Sequence, residues 1–143
     1  MLFGQDRNQI RTFFHHVWQK VEHQLPMEPL EHLIADVIVI HPEYHNQIEK
    51  IDSSLEQEYL PESGQSNPFL HMGMHITVRE QVQADQPTGI QQIYNALIKK
   101  NSDIHDLEHL MMDCLAEALW QSQQNNQPPD DQAYLSCLKA LAK

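Results

Sequence analysis

Three pairs of histidines stand four residues apart in this chain: His41 and His45, His71 and His75, His105 and His109. Four residues is slightly more than one helical turn, so each pair sets two imidazoles on one helical face. Imidazoles gathered from adjacent helices hold transition metals, and a carboxylate commonly completes the set. Random placement of ten histidines would give roughly 0.6 such pairs, so the excess is real but does not by itself establish a site. Position relative to apolar neighbours has to decide.

On a helix carrying the second pair, His71, Met74, His75, Val78 and Val82 fall within an arc of roughly 100°. Thr77, Arg79, Glu80, Gln81 and Gln83 point elsewhere. His71 and His75 are therefore expected on the apolar face, where an unpartnered polar group costs about 1–3 kcal/mol. In the segment of the third pair, Asp106, Asp113 and Glu117 mark the wet side, and Ile104, Met111, Leu115 and Ala118 mark the dry side. Glu108 lands among the dry residues, where a carboxylate needs a partner or a role. His105 and Glu108 form the more inward pair there, with His109 nearer the polar edge. In the first pair, Pro42 suits the first turn of a new helix. His45 is thus expected inward beside Ile48, with His41 either a ligand or a boundary residue. The expected metal set is His71, His75, His105 and Glu108, with His45, His41 or His109 completing one or two ions. Imidazole with carboxylate suits zinc, iron or nickel, and the pattern does not choose among them.

The elements that must carry these residues read as helices throughout. Residues 5–24, 29–40, 42–51, 67–83, 90–100, 103–123 and 130–141 have apolar residues at helical spacing or clear caps. Residues 37–40 have strand-like composition, but Leu30, Ile34, Val37 and Ile38 keep the helical period. Asn67-Pro68 and Ser102 or Asp103 are strong helix starts. Residues 52–66 form the longest loop, Gln86-Pro87-Thr88-Gly89 a turn, and 121–131 a polar connector. The expectation is an all-α, single-domain bundle of six to seven helices spanning residues 1–143.

A length of 143 residues with 41% hydrophobic content suits one domain. Nine basic against twenty acidic residues give a net charge of −11, without a Lys/Arg cluster. That speaks against a nucleic-acid partner and an anionic membrane surface, and for cationic partners such as metal ions. The longest apolar run, Val37–Ile40, is too short to span a bilayer, and residues 1–10 lack the basic start of a secretion signal. Cys114 and Cys137 form no C-x-x-C motif and are expected as reduced core thiols in a cytoplasmic protein. His105-Asp106 is weak support for a helical phosphohydrolase, because Asp106 faces the wet side. His105 to His109 also fits a short H-x-x-E-H peptidase string, which nothing else in the chain supports.

Four stretches carry a resemblance: His-Pro-Glu-Tyr-His at 41–45, Asn-Pro-Phe-Leu-His-Met-Gly-Met-His at 67–75, the turn at 85–89 and residues 108–121. Together they resemble a family of small proteobacterial proteins classed as a domain of unknown function. The resemblance covers nearly the whole chain and implies a bacterial, cytoplasmic protein, with no established activity to carry over. At the level of fold, the paired histidines look like hemerythrin-type and DinB-type helical metal proteins, although the ligand order and spacing differ.

Two functional classes follow. One is a helical metal-binding protein whose reaction is unspecified. The other is a non-catalytic structural or protein-interaction module whose core histidines hydrogen-bond Glu108, Tyr44 or Tyr94.

Overall fold

The computed structural model describes residues 7–55, 59 and 67–142. Among them are eight α-helices and one 3₁₀ turn, with no strand. The helices are α1 (Arg7–Glu22), α2 (Pro29–Val39), α3 (His45–Glu49), α4 (Ile51–Ser54), α5 (Pro68–Ala84), α6 (Ile90–Ile98), α7 (Ile104–Asn125) and α8 (Asp131–Ala140), with the 3₁₀ turn at Pro42–Tyr44. The all-α class expected from periodicity is present, and residues 37–39 belong to a helix. What periodicity reads as one helix over 42–51 is the 3₁₀ turn, α3 and the start of α4. Most of the expected 52–66 loop lies outside the described residues.

The chain divides into two compact units, Met1–Ile76 and Thr77–Lys143, and the division falls inside α5. The sequence reads as one domain, because no linker-like stretch separates its halves.

In the first unit α1 packs on α2, α3 and α4. Phe14 and Val17 of α1, Leu33, Ile34, Val37 and Ile38 of α2, Ile48 of α3, and Phe69, Met72 and Ile76 of α5 form one buried cluster. Polar ties hold α1 to its neighbours. His15 Nδ1 donates to the Ile48 carbonyl at 2.8 Å, and Trp18 Nε1 donates to Glu49 at 3.2 Å. Lys20 pairs with Glu31 of α2 at 2.7 Å. Arg11 is only 2% exposed. Its guanidinium donates to the Leu55 carbonyl at 3.2 Å and lies over the Tyr59 and Phe69 rings, 5.5 and 4.9 Å from their centroids. Such stacking suits the weakly hydrated guanidinium.

In the second unit α6, α7 and α8 pack on one another, burying Leu97, Leu107, Met111, Leu115, Leu135 and Leu138. The caps expected from sequence at Asn67 and Asp103 are made, and Asp130 caps α8 in addition. Asn67 Oδ1 accepts from the Phe69 and Leu70 amides, Asp103 accepts from Asp106, and Asp130 accepts from Gln132 and Ala133. Each satisfies donors that a helix start leaves without intrahelical partners. The turn before α6 is held by Asp85, whose Oδ1 accepts from the Gly89 and Gln91 amides. Gly89 sits at φ +103°, a conformation suited to glycine. The Tyr134 hydroxyl of α8 donates to Gln81 of α5 at 2.6 Å. Burial pushes the Tyr134 phenol above its ordinary pKa, so the hydroxyl keeps its proton and remains a donor.

The cysteines correct an expectation. Cys114 of α7 and Cys137 of α8 form a disulfide, with their Cα atoms 5.8 Å apart. A separation of 23 residues on two helices gives no local signal; only the docking of α8 on α7 brings the sulfurs together. Disulfides persist mainly in oxidising surroundings, so the thiols no longer speak for the cytoplasm. No helix of the described chain is long and apolar enough to cross a membrane.

Cys137→Ser is expected to lower stability by about 3 kcal/mol, from lost closure of that loop. Urea unfolding with and without a dithiol reductant reads this, and identical midpoints would contradict the bond. Glu31 gives a second expectation. The Glu28 amide, and then Lys20, hold its carboxyl below the ordinary value. A lowered folded-state pKa contributes stability that is present above the unfolded value and lost as pH falls through the folded one. Glu31→Gln should therefore flatten the acid limb of the stability profile; an unchanged limb would assign acid sensitivity to other groups.

Candidate metal centre

The centre starts at the end of α2. Pro42 has no amide hydrogen and cannot extend that helix. The chain instead turns: the His41 amide donates to the Ile38 carbonyl, and the Tyr44 amide donates to the His41 carbonyl, both at 3.0 Å. The last carbonyls of α2 then need donors from outside the helix, and the two histidines of the first pair supply them. His41 Nδ1 donates to the Val37 carbonyl at 2.7 Å, and His45 Nε2 donates to the Ile38 carbonyl at 2.8 Å. A carbonyl only accepts, so these bonds settle both tautomers. In the neutral ring His41 carries its lone pair on Nε2, and His45 carries it on Nδ1.

The two rings then part. His45 stacks against Trp18, 4.2 Å between centroids. His41, 1% exposed, meets the histidines of α5. Its centroid lies 5.0 Å from that of His71 and 5.2 Å from that of His75, nearly perpendicular to each. His71 and His75 are 6.5 Å apart. One ring nitrogen from each of His41, His71 and His75 lies within 4.8 Å of the other two, a spacing at which they could hold a metal ion. Bonds of about 2.0–2.1 Å to a tetrahedral ion put such nitrogens roughly 3.3 Å apart. Closing the widest gap asks for rotation of rings, and His71, half-buried, is placed to make it. His75 is fully buried. Tyr44 lies parallel to His41 at 5.5 Å and edge-on to His71 at 5.9 Å. Burial, and then the charge of Glu43, push its phenol up, so it stays protonated.

α5 differs from its expected single apolar stripe. Between Phe69 and Val78 most of its residues are buried, Leu70 being exposed and His71 and Met74 half-buried. His75 goes to the interior and His71 to its margin.

In the second unit, Glu108 is 3% exposed, so its inward placement agrees with the pattern. Its partner is Arg79 of α5, bound at 2.8 and 3.0 Å through two guanidinium nitrogens. Sequence reasoning placed Glu108 among metal donors and Arg79 off the apolar face of its helix, without pairing the two. The missed signal is that α5 contains no basic residue except Arg79, and a buried carboxylate requires a cation. Tyr94 adjoins this pair; burial, and then Glu108, raise its pKa. His105 and His109 are half-buried and edge-on to each other at 4.3 Å. Asp113 is exposed.

Glu108→Gln is expected to destabilise the fold by about 3 kcal/mol, by leaving a largely buried guanidinium without its charge partner. The double variant Arg79→Met, Glu108→Leu should recover most of that loss. Urea unfolding of the wild type, Arg79→Met, Glu108→Leu and the double variant measures the coupling, and additive losses would refute it.

A family model described as a domain of unknown function, DUF1841, matches residues 6–140. No curated protein and no solved structure matches the chain. The chain belongs to the DUF1841 family.

Proposed function

We propose that this member of the DUF1841 family binds a transition-metal ion through His41, His71 and His75. The observation that supports the reading is their convergence, with two of the rings almost wholly buried. The His41 bond to Val37 strengthens it. Metal-bound histidines almost always donate their other ring nitrogen to a carbonyl or carboxylate, which fixes ring and tautomer. His41 has this arrangement before any ion arrives. With Glu108 committed to Arg79, the donors are imidazoles. Such a set suits zinc or nickel, and suits iron less well because iron sites commonly add a carboxylate. A bound ion of this kind supplies Lewis acidity.

A structural reading stands beside it, supported by the same end of α2. There His41 and His45 serve as caps, and the cluster is a packed interior without an ion.

Elemental analysis of tag-free protein, prepared without a nickel column, separates the two. The expected result is near-stoichiometric metal and a melting temperature lowered by chelator. His75→Ala should weaken metal binding by on the order of 100-fold or more, at least matching the loss of a supporting hydrogen-bond partner. Metal-free protein whose melting temperature ignores chelator would favour the structural reading.

A further inference from the structure

α6 and α8 of the second unit pack on each other, and both line a groove of about 570 Å³. Ile93, Ala96 and Leu97 line it from α6, and Leu135 and Lys139 line it from α8. Their spacing of three and four residues sets each group on one helical face. Leu97 and Leu135 are buried, Ile93 is half-buried and Ala96 is exposed, so the floor is apolar and the groove opens at the surface. Its volume falls in the range of small-molecule sites, about 300–1,000 Å³. Walls of nine and ten residues are small beside a stable protein interface, which takes about 800 Å² from each partner.

Charge is uneven along the groove. α8 begins at Asp130 and Asp131 and carries Lys139 in its last turn, and Lys99 and Lys100 follow α6. The Lys100 ammonium donates to the Ala142 carbonyl at 2.9 Å, so the C-terminal ends of α6 and α8 lie together and bring these lysines to one end. Three of the chain's nine basic residues thus reverse, locally, a net charge of −11. The two helix ends oppose them with roughly half a negative charge each, which three full charges exceed.

We propose that this groove, independent of the metal centre, binds a medium-chain aliphatic monocarboxylate. Its carboxylate meets Lys139, and its hydrocarbon chain lies over Ile93, Ala96 and Leu135. α6 is nine residues long and spans about 13 Å, within the reach of such a chain. Salt screens the acidic protein's long-range field beyond about 10 Å, and Lys139 acts inside that distance. Selection is for a single charged end. A neutral alcohol gives Lys139 no charge partner, and a dicarboxylate turns its second charge toward Asp130 and Asp131.

An NMR titration of the full-length protein, read at its backbone amides, tests this with octanoate, hexanoate, octanol and octanedioate. The expected result is saturable shifts at Ile93, Ala96 and Leu135 with octanoate, at a millimolar midpoint. Partial cover of the chain should make hexanoate roughly fivefold weaker, and octanol and octanedioate should also bind more weakly than octanoate. Ala96→Phe fills the groove from an exposed position and should abolish the shifts without lowering Tm. Lys139→Glu should weaken octanoate roughly fivefold or more and leave octanol unchanged. Absence of saturable shifts at these amides would overturn the proposal and leave the groove to another part of this chain or to a second copy. Shifts that survive Ala96→Phe would overturn the location, and equal losses of octanoate and octanol in Lys139→Glu would overturn the carboxylate assignment.

Discussion

The hydrogen bond from His41 to the Val37 carbonyl is the contact on which the candidate centre depends. A helix that stops at a proline leaves carbonyls without amide donors, and burying them unmet is unfavourable. α2 stops inside the first unit's core, with Val37 and Ile38 themselves fully buried. Side chains that reach back over the turn complete the end: His41 gives the Val37 carbonyl a donor, and His45 adds a second donor to the Ile38 carbonyl, which also accepts from the His41 amide. Using one ring nitrogen as a donor leaves the other as a lone pair, so satisfying the helix end also prepares a ligand. His45 spends its ring face on Trp18. His41 presents its ring to α5. The same two residues, four apart, thus take different roles because their rings donate through different nitrogens.

Each unit holds a polar device in its interior, and the two differ in how charge is settled. The second unit buries a carboxylate against a guanidinium in a two-point bond. It also fastens α7 to α8 covalently and ties α8 to α5 through Tyr134 and Gln81. These are closed arrangements in which donor and acceptor are both present. The first unit stacks its buried cation, Arg11, on two aromatic rings and a carbonyl. It also gathers three imidazoles in a cluster that includes no carboxylate among the described residues.

Much of this was readable from residues because the signals were local. Asn67-Pro68 and Asp103 announce helix starts through bonds spanning two or three residues, and those bonds are present. Pro42 announces the end of α2. The inward direction of Glu108 follows from helical periodicity. The remainder was hidden because it depends on packing between elements. Arg79 and Glu108 lie 29 residues apart, and periodicity places each side chain on its own helix without saying what stands opposite. Cys114 and Cys137 meet only after α8 docks. Near-uniform apolarity from Phe69 to Val78 blurs the face of α5, so His71 and His75 could be assigned inward without distinguishing the buried ring from the marginal one.

The capping and metal readings of His41 share one hydrogen bond, so that bond cannot choose between them. The choice lies with α5. Caps alone would be served by His41 facing any apolar neighbour, and Leu or Met at 71 and 75 would pack that space without burying polar atoms. Two imidazoles stand there instead, with His75 wholly enclosed. An enclosed imidazole is disfavoured unless something engages both its nitrogens. A shared cation answers that demand for three rings at once, whereas hydrogen bonds must answer it ring by ring. The ion proposed above would engage one nitrogen of each ring at a single point, with His41 and His75 buried and His71 half-buried.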